Sequence, residues 1–195
     1  MKLIINKSGN RESLISQCKK QHRQAQHDVY NWLAPKMLGL CRRYINDNNE
    51  AESVMITAFL KVFDKIDQFT GSGSFEGWVR RIMVNESLLY IRKNKAMYIE
   101  VDIEYADTKP NYELAYENLE IDDLLKLINN LPIGYKTVFN MFAIEGYSHK
   151  EIAECLGISA NTSKSQLSRA RGILQNQIID KETMWDEKHK RHGKG

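Results

Sequence analysis

The chain has 195 residues, 42% of them hydrophobic, with three prolines and a formal net charge of +3. This suits one ordinary domain or two small ones, and no run of about 18 apolar residues is present to span a membrane. The apolar stretch in Met1 to Lys7 is too short for a signal peptide. Cys18, Cys41 and Cys155 are odd in number and far apart, and read as reduced thiols of a cytoplasmic protein rather than as metal ligands.

Apolar residues recur at three- and four-residue steps with no lasting alternation, so the fold class is all-α. The spacing predicts helices over 11–24, 26–46, 49–66 and 74–93, gathered into a domain at 10–93. Asp47 to Asn49 is read as a turn and Gly71-Ser72-Gly73-Ser74 as a flexible loop. In the last of these helices Val79, Ile82, Met83 and Leu89 suit a buried stripe. Arg80, Arg81, Arg92, Lys93 and Lys95 supply charge around Trp78 and Tyr90. Basic residues interleaved with aromatics suit single-stranded nucleic acid, where charge follows the backbone and rings accept unstacked bases. A Trp78 buried in a helical core explains the same pattern.

Charge is unevenly spread. Residues 1–48 carry nine Lys/Arg against three acids, whereas residues 100–123 carry nine acids against Lys109 alone. Residues 94–117 lack an amphipathic period, contain Pro110 and hold much of that acidic block, so they are read as a flexible acidic linker between two domains. Extended at about 3.3–3.6 Å per residue they reach roughly 80 Å, against about 70 Å for two turns of DNA. A nucleic-acid binder with a built-in negative segment fits, and so does a merely solvated linker.

Further helices are predicted over 118–130, 132–145, 148–156 and 160–178, with 179–195 a frayed basic tail. Ser148 and Glu151 form a capping box, Gly157 suits a left-handed turn, and Ser159 caps the next helix. Ile152, Ala153 and Leu156 form the inner face of the first helix, and Leu167, Ala170 and Leu174 that of the second. Asn161, Lys164, Ser165, Ser168 and Arg169 are left outside, able to donate to base edges and phosphates. Ser148, His149 and Lys150 sit at a helix N-terminus, where free N–H groups and the dipole favour a phosphate. The pair is a helix-turn-helix, although an ordinary helical hairpin with a solvated polar face has the same outline.

Leu131 to Phe139, Glu145 to Ala153, Thr162 to Ser165 and Ala170-Arg171 together resemble the fourth conserved region of bacterial sigma factors, most closely the extracytoplasmic-function group. Ser163 stands where that family often has valine, which predicts slightly weaker packing. The segments Tyr30–Tyr44, Asn49–Phe63 and Ser74–Lys93 resemble the family's second region, in the same order. The resemblance implies a promoter-specificity subunit with no catalytic residue and no cofactor. Lys164, Ser165, Ser168 and Arg169 would read the −35 element, and the domain around them would bind the flap of the polymerase β subunit. Gly71 to Ser74 with Asn85 would form a pocket for an extruded base of the −10 element, with Trp78 beside it, while Arg80, Arg81 and Arg92 follow phosphates. The clamp helices of the β′ subunit would dock on Glu52, Ser53, Met55, Ile56 and Phe59. Ser53, Ile56 and Thr57 depart from the family's usual acidic and amide residues, which points to a more apolar docking face through Val54, Met55 and Ile56. An anti-sigma factor is a further partner the family implies, and the acidic linker would lie along the positive path of the RNA exit channel.

Two other classes of function are weaker. A regulator binding duplex DNA without polymerase keeps the helix-turn-helix but leaves the aromatic-basic helix and acidic linker unexplained. For an enzyme, His22, His27, His149, His189 and His192 lack metal-ligand spacing. Gly71-Ser72-Gly73 also lacks the lysine and serine of a phosphate loop.

Overall fold

The computed structural model describes the backbone of residues 7–94 and 121–192, and every described element is helical. The chain divides into two compact units at Lys93/Asn94. Apart from Asn94, the linker expected at 94–117 lies outside the described residues.

The first unit contains α1 (Lys7–Lys19), α2 (Arg23–Tyr44), α3 (Asn48–Asp64), a short 3-10 turn at Ile66–Gln68, and α4 (Phe75–Lys93). One helix was expected over 11–24, but the chain breaks earlier. Gln21 takes φ +60°, and its N–H donates to Cys18 O at 2.9 Å, which closes α1 and lets α2 begin at Arg23. Asp47 opens α3 by accepting from the N–H groups of Asn49 and Glu50, both at 2.9 Å. Ser74 opens α4 in the same way, accepting from Gly77 N–H at 3.0 Å.

Helices α2, α3 and α4 pack against one another and α1 lies along α2. Their shared core includes Val29, Leu33, Met37, Leu40, Ala58, Phe59, Val62, Val79, Met83, Val84, Leu88 and Ile91. The expected stripe of α4 is wrong at one end. Leu88 is buried and Leu89 exposed, because the buried positions step 79, 83, 84, 87, 88 and 91 and so stay on one helical face. Two ion pairs pin α4 to its neighbours: Lys36–Glu76 at 2.9 Å to α2 and Lys61–Glu86 at 2.7 Å to α3. Cys18 and Cys41 are free and buried, and burial pushes each thiol up to about 11.

The second unit contains α5 (Ile121–Asn129), α6 (Ile133–Phe139), a π-type turn at Asn140–Ile144, α7 (His149–Leu156) and α8 (Ala160–His192). Leu127, Ile128, Leu131, Ala170, Ile173, Leu174 and Ile178 form its core, with Tyr135 and Phe139 against it. The helix expected to end at 178 continues to His192. Ile173 to His192 contains neither glycine nor proline to stop it. The start of that extension is tied back to α5. Asp123 lies 3.6 Å from Lys181 and 3.1 Å from Lys126, and these lysines hold its carboxyl below the usual range, the Lys126 hydrogen bond contributing most.

Candidate nucleic-acid and polymerase interfaces

The helix-turn-helix is assembled by local hydrogen bonds in the expected pattern. Glu151 N–H donates to Ser148 Oγ at 3.3 Å and Ser148 N–H donates to Glu151 Oε2 at 2.8 Å, the two halves of a capping box. Gly157 closes α7 with φ +70° and ψ 34°, a left-handed conformation that costs a side-chain-bearing residue roughly 1–2 kcal/mol. Its N–H and that of Ile158 both donate to Ala153 O. Ser159 then accepts from Thr162 N–H at 2.9 Å and starts α8.

On α8 the inner residues Leu167, Ala170 and Leu174 are buried, while Asn161, Lys164, Ser165, Ser168 and Arg169 are all exposed on the opposite side. Two of the exposed residues are already oriented. Arg169 Nη1 lies 3.4 Å from Tyr135 Oη, and Ser165 Oγ donates to Thr162 O at 3.0 Å. Ser148 and Lys150 are exposed at the start of α7.

His149 departs from its expected place as a free phosphate donor. Its Nδ1 lies 2.9 Å from Ser163 Oγ, and its ring stacks on Phe142 with centroids 4.5 Å apart. The Arg171 guanidinium sits 5.8 Å from the same Phe142 ring. Burial, and then the charges of Lys164 and Arg171, hold the imidazole below its ordinary pKa. Ser163 therefore does not simply loosen the packing as a lost valine would. It is fully buried and its hydroxyl is satisfied by His149, so the pair braces α7 against α8.

In the first unit, the loop carrying Gly71 and Gly73, with φ +85° and +84°, turns the chain sharply into α4. Beside it lies a cavity of about 580 Å³ bounded by α1, α2, the loop and the first turns of α4. Trp32, Phe69 and Phe75 give it an aromatic wall, with Trp32 and Phe75 stacked at 6.4 Å and Phe69 edge-on to Phe75 at 5.2 Å. Gly71, Gly73 and Ser74 line it, with Ser72 exposed in the same loop, and Arg80, expected to follow phosphates, lines it as well.

Asn85 does not line it. Eleven residues beyond Ser74 on a helix is about 16 Å along the axis, too far to join the loop in one pocket. Trp78 is half-buried, stacked on Phe75 at 5.8 Å and tilted against Phe69 at 5.7 Å, so it supports the wall from behind. Arg81 and Arg92 are exposed farther along α4. Sequence reasoning missed Arg11, Trp32, Phe69 and Phe75, which tertiary packing alone brings together.

On α3 the expected polymerase face divides. Glu52, Ser53, Ile56 and Thr57 are exposed, but Met55 and Phe59 are each only 2% exposed and belong to the core, and Val54 is buried beside them. The reason is helical phase. Positions 51, 54, 55, 58, 59 and 62 face inward, and Phe59 packs on Tyr30 with ring centroids 4.8 Å apart. The apolar residue missed on the outer face is Leu60, 67% exposed, four positions after Ile56 at 45%.

The family models described as "Sigma-70 region 2" and "Sigma-70, region 4" match residues 29–97 and 121–174. The ECF RNA polymerase sigma factor SigW of Bacillus subtilis is 32% identical over 179 residues, covering 85% of this chain and 95% of that protein. The chain belongs to the extracytoplasmic-function sigma factors of bacterial RNA polymerase. It is a promoter-directing subunit of that enzyme, and its family is not a class of enzymes. The ECF RNA polymerase sigma-E factor of Haemophilus influenzae is 26% identical, with coverage of 86% and 94%. The fold is also that of the sigma factor RpoE of Bartonella quintana, solved with the anti-sigma factor NepR. It is 21% identical with a TM-score of 0.51, covering 79% of this chain and 96% of that one. Among the described residues of this sigma factor, no helix is long and apolar enough to cross a membrane.

Proposed function

We propose that this sigma factor divides promoter recognition between two differently shaped surfaces while both units are held on core polymerase in the cytoplasm. The exposed row Asn161, Lys164, Ser165, Ser168 and Arg169 reads the −35 element in the major groove, and the N-terminus of α7, through Ser148 and Lys150, seats a phosphate. The observation that carries this is a doubly capped helix-turn-helix whose second helix turns Asn161, Lys164, Ser165, Ser168 and Arg169 away from its core.

The −10 element is handled by the first unit. The glycine loop and the cavity with Trp32, Phe75 and Arg80 receive an unstacked base, and Arg81 and Arg92 follow the strand. Unstacking costs a few kcal/mol, comparable to what aromatic stacking and pocket contacts return. The clamp helices of β′ dock on Glu52, Ser53, Ile56, Thr57 and Leu60, a surface more apolar than the family's usual one. The β flap contacts the second unit. The acidic segment tethers the two units and lies along the RNA exit path, so neutralising its acids changes the yield of abortive transcripts; an unchanged yield removes that role. An anti-sigma factor is a further partner, as for RpoE with NepR. The chain has no catalytic activity of its own.

Run-off transcription with purified core tests the reading. Promoter-specific product is expected only when chain and core are both present, falling steeply with salt. Tight, sequence-specific binding of duplex promoter by the chain alone would favour an independent regulator instead.

A further inference from the structure

From the cavity beside the glycine loop we infer that Glu12 of α1 is a specificity-determining residue, selecting an amine-bearing base over thymine in the pocket. The inference rests on the −10 reading above and adds the residue that discriminates. Helix α1 ends before the segment matched by the region 2 family model begins, at residue 29, yet it forms a wall of the cavity through Arg11, Glu12 and Ile15. It is fastened there. Lys19 Nζ donates to Phe69 O at 2.7 Å, just before the loop, and the Arg11 guanidinium lies 4.6 Å over the Trp32 ring. At about 580 Å³ the cavity falls within the roughly 300–1,000 Å³ of small-ligand clefts, and its aromatic wall suits a flat base.

The lining polar groups differ in what they have left to offer. Glu76 has both carboxylate oxygens 2.9 Å from Lys36 Nζ. Ser74 Oγ already accepts from Gly77 N–H, and Arg11 is stacked on Trp32. Glu12 makes no hydrogen bond or ion pair among the described residues, so it is the carboxylate left to accept from a ligand. An ionised carboxylate only accepts. Adenine, cytosine and guanine each present an exocyclic amine to it, whereas thymine presents one ring N–H flanked by two carbonyl oxygens that repel it.

The test is open-complex formation by the full chain on core polymerase, with each non-template position of the −10 element changed in turn to all four bases. At one position the wild type should disfavour thymine about tenfold, the size of one good base contact. In Glu12→Ala and Glu12→Gln that preference should shrink to within about twofold, with other positions unchanged. Both substitutions sit at an exposed helical position and leave the fold intact. As a second arm, purine in place of adenine at that position should cost the wild type about tenfold and Glu12→Ala almost nothing. A wild-type profile retained by both variants, or a loss spread evenly over all positions, overturns the role of Glu12 while leaving the −10 reading standing. A wild type with no base preference anywhere in the −10 element overturns both.

Discussion

The two units offer nucleic acid opposite relief. In the second, α8 carries its polar residues on a convex outer face; in the first, α1, α2 and α4 leave a hollow walled by Trp32, Phe69 and Phe75. A helix face fits a groove whose bases remain paired, whereas a hollow is useful only to a base that has left the stack. The contrast extends to how each surface is built. The convex face depends on caps and a turn within a few residues of one another, while the hollow depends on side chains from Arg11 to Arg80 meeting in space.

The largest expected effect separates core from surface in the first unit. Phe59→Ala should cost about 3–5 kcal/mol of stability in thermal or denaturant melts, since its ring is buried against Tyr30. Its neighbour Leu60→Asp should leave melting within about 0.5 kcal/mol and weaken core-polymerase binding about tenfold. Equal behaviour of the two would mean that α3 is rotated from the face assigned here. Next in size, Lys164→Ala with Arg169→Ala should reduce the advantage of a consensus −35 element at least tenfold in run-off assays. Core binding and the −10 preference should survive.

How much of this could be read in advance follows the same division. Ser148, Glu151, Gly157 and Ser159 act on neighbours three or four residues away, so the helix-turn-helix was legible to the residue. Met55 and Phe59 were assigned to the polymerase face by family position, but the period of α3 places them inside. Leu89 lost its expected place to Leu88 by a single step of phase. The hollow had no local signature: Trp32 and Phe75 become a wall only when α2 and α4 pack, and Arg11 only when α1 folds over them. His149 was read as a ligand donor because nothing in its own segment announces Ser163, fourteen residues on.

That histidine supplies a smaller prediction for the second unit. Its folded pKa lies below the unfolded value of about 6.5, so the folded state resists protonation. Stability from this site is fully present above about pH 6.5 and is lost as pH falls through the folded pKa. The melting temperature of the wild type should therefore drop more between pH 7.5 and 5.5 than that of His149→Gln; parallel pH profiles would contradict the bracing role. The smallest effect concerns the first unit's interior. With Cys18 and Cys41 both raised to about 11 by burial, iodoacetamide at pH 8 should modify half-buried Cys155 first. Early labelling of Cys18 would show that α1 opens readily.

The most direct trial of separate surfaces for separate promoter elements is a crossed specificity measurement on core polymerase. Wild type, Arg80→Ala and Lys164→Ala/Arg169→Ala are each assayed on promoters altered in the −10 or the −35 element alone. The account predicts that the Arg80 variant loses discrimination only at −10 and the α8 variant only at −35. Loss of discrimination at both elements from either variant would contradict it.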